Sequence, residues 1–132
     1  MSIKNAGILA LDFGTKKVGL AISHGIMAEP LESVLYRDHE ENFFKLIAKT
    51  CKEQKVSRII VGLPLDDGEE SPQSKWTREQ AMKLSEKIDL EVEFVDESYS
   101  TLEATDKLLG DGDVDSESAK IILEQYLKES KR

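Results

Sequence analysis

The sequence predicts an α/β protein built on a mixed sheet of five strands with helices on both faces. Three observations predict it. Three short apolar runs, at 7–13, 18–23 and 31–36, follow one another with no helical pattern between them. Beyond residue 38, strand-like segments alternate with segments of helical periodicity. The run RIIVG at 58–62 is apolar almost throughout, and a strand that does not alternate is one covered on both faces.

Each element has a local reason. Gly7 to Phe13 is an apolar run of β-compatible residues and reads as a buried strand. Gly14-Thr15-Lys16-Lys17 makes a tight connection to a second run, Val18 to Ser23, so the pair reads as a hairpin. Leu31 to Tyr36 is a third strand, nearer an edge. Asp38 or His39 opens a helix whose Phe43, Phe44, Ile47, Ala48 and Cys51 share one face. Arg58 to Gly62 is the fourth strand, and Gly62 to Gly68 a loop. Ser71-Pro72 places an N-cap before a proline at the first helical position, and this helix runs to about Lys87. Glu91 to Val95 alternates and is the fifth strand. Ser100-Thr101-Leu102-Glu103 has capping-box spacing, which predicts a helix over 101–109, ended by Gly110-Asp111-Gly112-Asp113. A last helix covers about Asp115 to Lys128, with Ala119, Ile122, Leu123, Tyr126 and Leu127 on one face. In this order strands one, four and five are parallel, joined by right-handed crossovers.

Composition bounds what the chain does. Its 132 residues suit one domain, 1–132, with a core drawn from the 39% hydrophobic residues. The net charge is −8, so any grip on a phosphate backbone needs a local basic patch or bound cations. The single cysteine, Cys51, excludes an intramolecular disulfide, fits a reducing compartment and sits where packing explains it. MSIKNAG carries no signal-peptide core, and no apolar run approaches the ~20 residues of a membrane span. The expectation is a soluble cytoplasmic protein with no membrane partner.

One acid stands out. Asp12 interrupts the apolar run ILALDF, and a charge buried in a strand is costly unless something compensates it. Functional groups in such sheets gather at the carboxyl ends of the parallel strands. Asp12 lies at the end of strand one, Asp96 and Glu97 follow strand five, and Asp115 opens the last helix. Carboxylate clusters suit Mg²⁺ or Mn²⁺, and two such ions about 3.5–4 Å apart support phosphodiester hydrolysis. Each acid also has a plainer reading: Asp115 as a helix-start acid, Glu97 as a loop acid.

Other candidates carry less. Asp66 and Asp67 read as a solvated turn, and His24 and His39 as local surface contacts. Ser98, Ser100 and Thr101 read as helix caps. There is no GxxxxGK[ST] loop, no zinc spacing and no nucleophilic triad. Lys16 and Lys17 at the hairpin tip, with Lys75 and Arg78 on the second helix, are the candidates for nucleic-acid contacts. The Asp-Phe-Gly-Thr turn is similar to the phosphate hairpin of actin-like and sugar-kinase ATPases over a few residues only, and that fold needs a second lobe for which this chain has no room.

LDFGTKKVGLAIS, IIVGLPLDDG, DESYSTLEA and VDSESAKIILEQYL, in this order and spacing, resemble the YqgF or RuvX family over about residues 8 to 128. The resemblance implies an RNase H-like fold with strand order 3-2-1-4-5 and strand two antiparallel. It implies a nuclease using Mg²⁺ or Mn²⁺ held by Asp12, Glu97 and Asp115. Its substrate would be structured RNA at the 5′ end of precursor 16S rRNA, or branched DNA as in Holliday junction resolution. A monomer or a homodimer fits; a binding module that has kept the fold without the chemistry is the remaining alternative. Three departures stand against the family pattern: Ser98 where an Arg is usual, a short acidic GDGDV where members carry a longer basic loop, and a loop after Gly-Leu-Pro shorter by about one residue. The missing guanidinium removes a fixed positive donor beside the acids.

Overall fold

A computed structural model describes residues 6–14, 16–25, 27–96 and 114–130. Its elements are β1 (Gly7–Phe13), β2 (Lys17–Ser23), β3 (Ala28–Leu35), α1 (Glu40–Glu53), β4 (Val56–Leu63), α2 (Pro72–Ile88), β5 (Glu91–Asp96) and α3 (Val114–Ser130). The helix expected over 101–109 lies outside the described residues. One sheet of five strands has the order β3-β2-β1-β4-β5. β2 is antiparallel to β1 and β3, whereas β1, β4 and β5 run parallel.

The alternation of β1 divides the core. Leu9, Leu11 and Phe13 enter a large cluster with Phe43 and Ile47 of α1 and Ala81 and Leu84 of α2. Ala10 joins Ala21 and Ile60 against Ala119, Ile122, Leu123 and Tyr126 of α3. Thus α1 and α2 cover one face and α3 the other, with side chains at even positions of β1 directed to α3. β4 explains its own lack of polarity: Ile59 and Val61 serve the first cluster while Ile60 serves the second.

Several element ends differ from the sequence reading. β3 starts at Ala28 rather than Leu31 and takes Pro30 into the strand, paired with Ala21. Proline is tolerated there because β3 is a sheet edge and one side of its backbone has no neighbour. Ala48 was placed on the buried face of α1 and is exposed; the buried face is Phe43, Phe44, Ile47 and Cys51. Burial pushes the Cys51 thiol up to about 11, consistent with packing alone. α2 begins as read, but its capping box uses Ser74: the Ser71 hydroxyl accepts from the Ser74 N–H at 3.0 Å, and the Ser74 hydroxyl accepts from the Ser71 N–H at 2.7 Å.

His24 has the local role expected of it. Its Nε2 donates to the Gln54 carbonyl at 2.9 Å, over the start of β1. A Cβ at Gly7 would stand 3.0 Å from that carbonyl oxygen and 3.1 Å from the His24 ring, a tight fit that glycine avoids.

Candidate metal and nucleic-acid site

Asp12 is the last residue but one of β1, at the carboxyl end of a central parallel strand. It is 8% exposed, so the carboxylate is as buried as the interrupted apolar run suggested. Strand alternation directs it to the α3 face, beyond Ala10.

Two features bring the start of α3 to the same place. The β1–β2 register sets Asp12 opposite Gly19. On its other side β2 pairs with β3 through an irregularity between Val18 and Leu20. There the Leu20 N–H donates to the buried Ser116 Oγ at 3.2 Å. The first turn of α3, which contains Asp115, is thereby pinned one residue from the strand partner of Asp12. The positive end of the α3 dipole also favours anionic groups near this turn. β5 ends on Asp96, exposed and level with Leu63 of β4, and Glu97 is the next residue in the chain but lies outside the described residues. Among the described residues, no three His, Cys, Asp or Glu side chains come together as a metal site.

The predicted basic residues divide. Lys16 and Lys17 are exposed at the β1–β2 turn, where the Gly14 N–H donates to the Lys17 carbonyl at 2.8 Å. Lys75 is exposed on the first turns of α2. Arg78 is already engaged: it forms an ion pair with Glu70 and lies 5.0 Å from the Phe94 ring centroid. The hydrogen bond from Arg78 holds the Glu70 carboxyl below the usual range. Asp66 and Asp67 form an exposed turn, closed by the Asp66–Glu69 bridge.

Sequence reasoning missed Arg37 and Trp76. The Arg37 guanidinium lies 5.2 Å from the Trp76 ring centroid, at the same end of the sheet as Lys16. No periodicity marks a turn arginine and a helix tryptophan as neighbours; the only available signal was that the chain has a single tryptophan. A groove of about 850 Å³ between β3 and α1 is walled by Leu31, Val34, Phe43 and Leu46, and Asp12 is not among its lining residues.

The sheet order, the parallel β1–β4–β5 unit and an acid at the end of β1 define an RNase H-like α/β fold. The structure of Thermus thermophilus RuvC in complex with a Holliday junction substrate superposes with a TM-score of 0.59 at 10% identity, covering 94% of this chain and 96% of that one. The family model described as RuvX, Holliday junction resolvase, matches residues 6–129, and the chain belongs to this family. Relatives named "Putative pre-16S rRNA nuclease" are 38% identical in Maridesulfovibrio salexigens, over 91% of this chain and 96% of the relative. Another of that name in Escherichia coli is 39% identical, over 92% of this chain and 96% of the relative. Family and relatives place the chain among nucleases, which hydrolyse phosphodiester bonds. No helix among the described residues is long and apolar enough to cross a membrane.

Proposed function

We propose that this chain is a divalent-cation-dependent nuclease acting in the cytoplasm on structured RNA, at the 5′ end of precursor 16S rRNA. The observation that carries the proposal is the burial of Asp12 at the carboxyl end of β1, on the face where Ser116 docks the start of α3.

Asp12, Glu97 and Asp115 are the acids that would hold the cation. Their all-oxygen donor set is the kind Mg²⁺ and Mn²⁺ prefer. Asp12 is buried at the carboxyl end of β1, where the charge of a bound cation would act through little intervening solvent. When bound, such a cation activates water and stabilises charge on the phosphate oxygens. The protein's own contribution is positional. The ladders from β1 to β2 and β4 fix the Asp12 backbone, and Ser116 fixes the first turn of α3 against β2. Lys16, Lys17 and Lys75 are exposed and would offer ammonium groups to flanking phosphates on an otherwise acidic chain.

The test is cleavage of a precursor 16S rRNA fragment in Mn²⁺ by the wild type and Asp12→Asn. Loss of an outer partner of a metal ligand already costs 10–100-fold, so loss of the ligand itself is expected to cost more than about 100-fold. Undiminished cleavage by the variant removes Asp12 from the site. The family description favours a second reading, branched DNA as substrate. A four-way DNA junction assayed beside the RNA separates the two, and a dimer in solution is expected only if the junction is cut. Failure to cut either substrate points to a binding module with the nuclease fold.

A further inference from the structure

We propose that Arg37, seated on Trp76 and flanked by Lys16, is a contact for the sugar-phosphate backbone of the nucleic-acid strand that enters the site. This inference rests on the nuclease reading and adds a residue to it. Arg37 follows β3 in the turn before α1 and is exposed. The turn is tied to the hairpin tip by two hydrogen bonds to the Lys16 carbonyl, from the Tyr36 N–H at 2.8 Å and the Arg37 N–H at 3.4 Å. Lys16 and Arg37 are therefore neighbours although 21 residues apart in the chain.

Trp76 supplies the seat. It is half-buried against the core, with its ring edge-on to Phe13 at 6.1 Å and Tyr36 at 5.9 Å. Those contacts hold the indole still, and the guanidinium lies over it. A stacked guanidinium keeps its N–H donors free for phosphate oxygens, while its conformational freedom is already reduced. Among the described residues, Arg37 and Lys16 form no ion pair, unlike Arg78, Arg58 and Lys120. The acids that follow, Asp38, Glu40 and Glu41, line a separate cleft with His39, Asn42 and Lys45 that does not include Arg37. Arg37, Lys16 and Lys17 thus stand exposed at the end of the sheet where β1 closes on Asp12. Phe13, under Trp76, is adjacent to Asp12 in β1 and faces the opposite side. A strand crossing the end of the sheet would meet Asp12 on one face and Arg37 on the other.

The test is equilibrium binding of a labelled single-stranded RNA, and of DNA of the same sequence, in EDTA across a salt series. With no cation present, the result stands whether or not the chain cleaves. Arg37→Gln is expected to weaken binding several-fold and to lower the slope of log affinity against log salt by about 0.7, the value of one lost phosphate contact on a single strand. The loss should be equal on RNA and DNA, since a phosphate contact does not read the 2′-hydroxyl. Trp76→Leu should produce the same change alone and none in the Arg37→Gln background, because the ring acts through the arginine. An unchanged salt slope in Arg37→Gln, with only a lower melting temperature, overturns the proposal by making the pair structural. A loss confined to RNA also overturns it.

Discussion

Tyr36 shows how one buried residue joins β1, α1 and α2. Its ring is 2% exposed and packs edge-on to Phe13, Phe43 and Trp76. Its hydroxyl donates to Gln80 Oε1 of α2. Burial first, and the charge of Glu40 second, push the phenol up to about 12. The folded pKa thus lies above the unfolded value near 10, so the neutral phenol is favoured by folding. The resulting stability is complete below pH 10 and is lost as pH rises through about 12. It amounts to about 3 kcal/mol. Denaturant unfolding at pH 8, 10 and 12 should show this fall in the wild type and a smaller fall in Tyr36→Phe. Equal falls would mean that other groups govern alkaline unfolding. At this scale the sequence was informative about Asp12, because an acid within an apolar strand is conspicuous. It was silent about Tyr36 and Arg37, whose roles depend on neighbours 40 or so positions away.

Among the elements, α3 has the decisive seat. Its apolar face covers the sheet, and its first turn is registered by one hydrogen bond from Leu20 to Ser116. The irregularity between Val18 and Leu20 is what leaves that strand N–H available to the helix. Ser116→Ala deprives a buried N–H of its acceptor, which costs about 1–3 kcal/mol. We expect that loss in denaturant unfolding, with a fall in RNA cleavage as the turn bearing Asp115 loosens. A variant that unfolds and cleaves like the wild type would show that α3 packing alone places this turn. Hydrophobic periodicity made the helix itself legible, through Ala119, Ile122 and Leu123. The bulge that receives it has no sequence signature, since it depends on how β2 and β3 are paired. The third strand reads as an edge strand from the sequence, but its start at Ala28 does not, because the ladder that takes in Pro30 depends on the pairing with β2.

For the whole molecule, the order of apolar runs was enough to read a hairpin, a third antiparallel strand and a parallel β1–β4–β5 unit. That topology sets Asp12 and Asp96 at the same carboxyl end of the parallel strands. Asp12 at the end of β1 and the first turn of α3 meet on one face, and Glu97 follows β5 by a single residue. What periodicity did not convey was the division of the basic groups, since pairing of Arg78 with Glu70 requires the loop before α2 to fold back along the helix. The proposed cation site joins Asp12, Glu97 and Asp115. Calorimetric titration of Mn²⁺ tests it most directly, on the wild type and on Asp12→Asn, Glu97→Gln and Asp115→Asn, with melting curves recorded alongside. Saturable binding to the wild type is expected, with a loss of at least about tenfold in affinity in each variant without loss of the fold. Wild-type protein that takes up no Mn²⁺, or variants that bind it as tightly, would rule out a cation site at these acids.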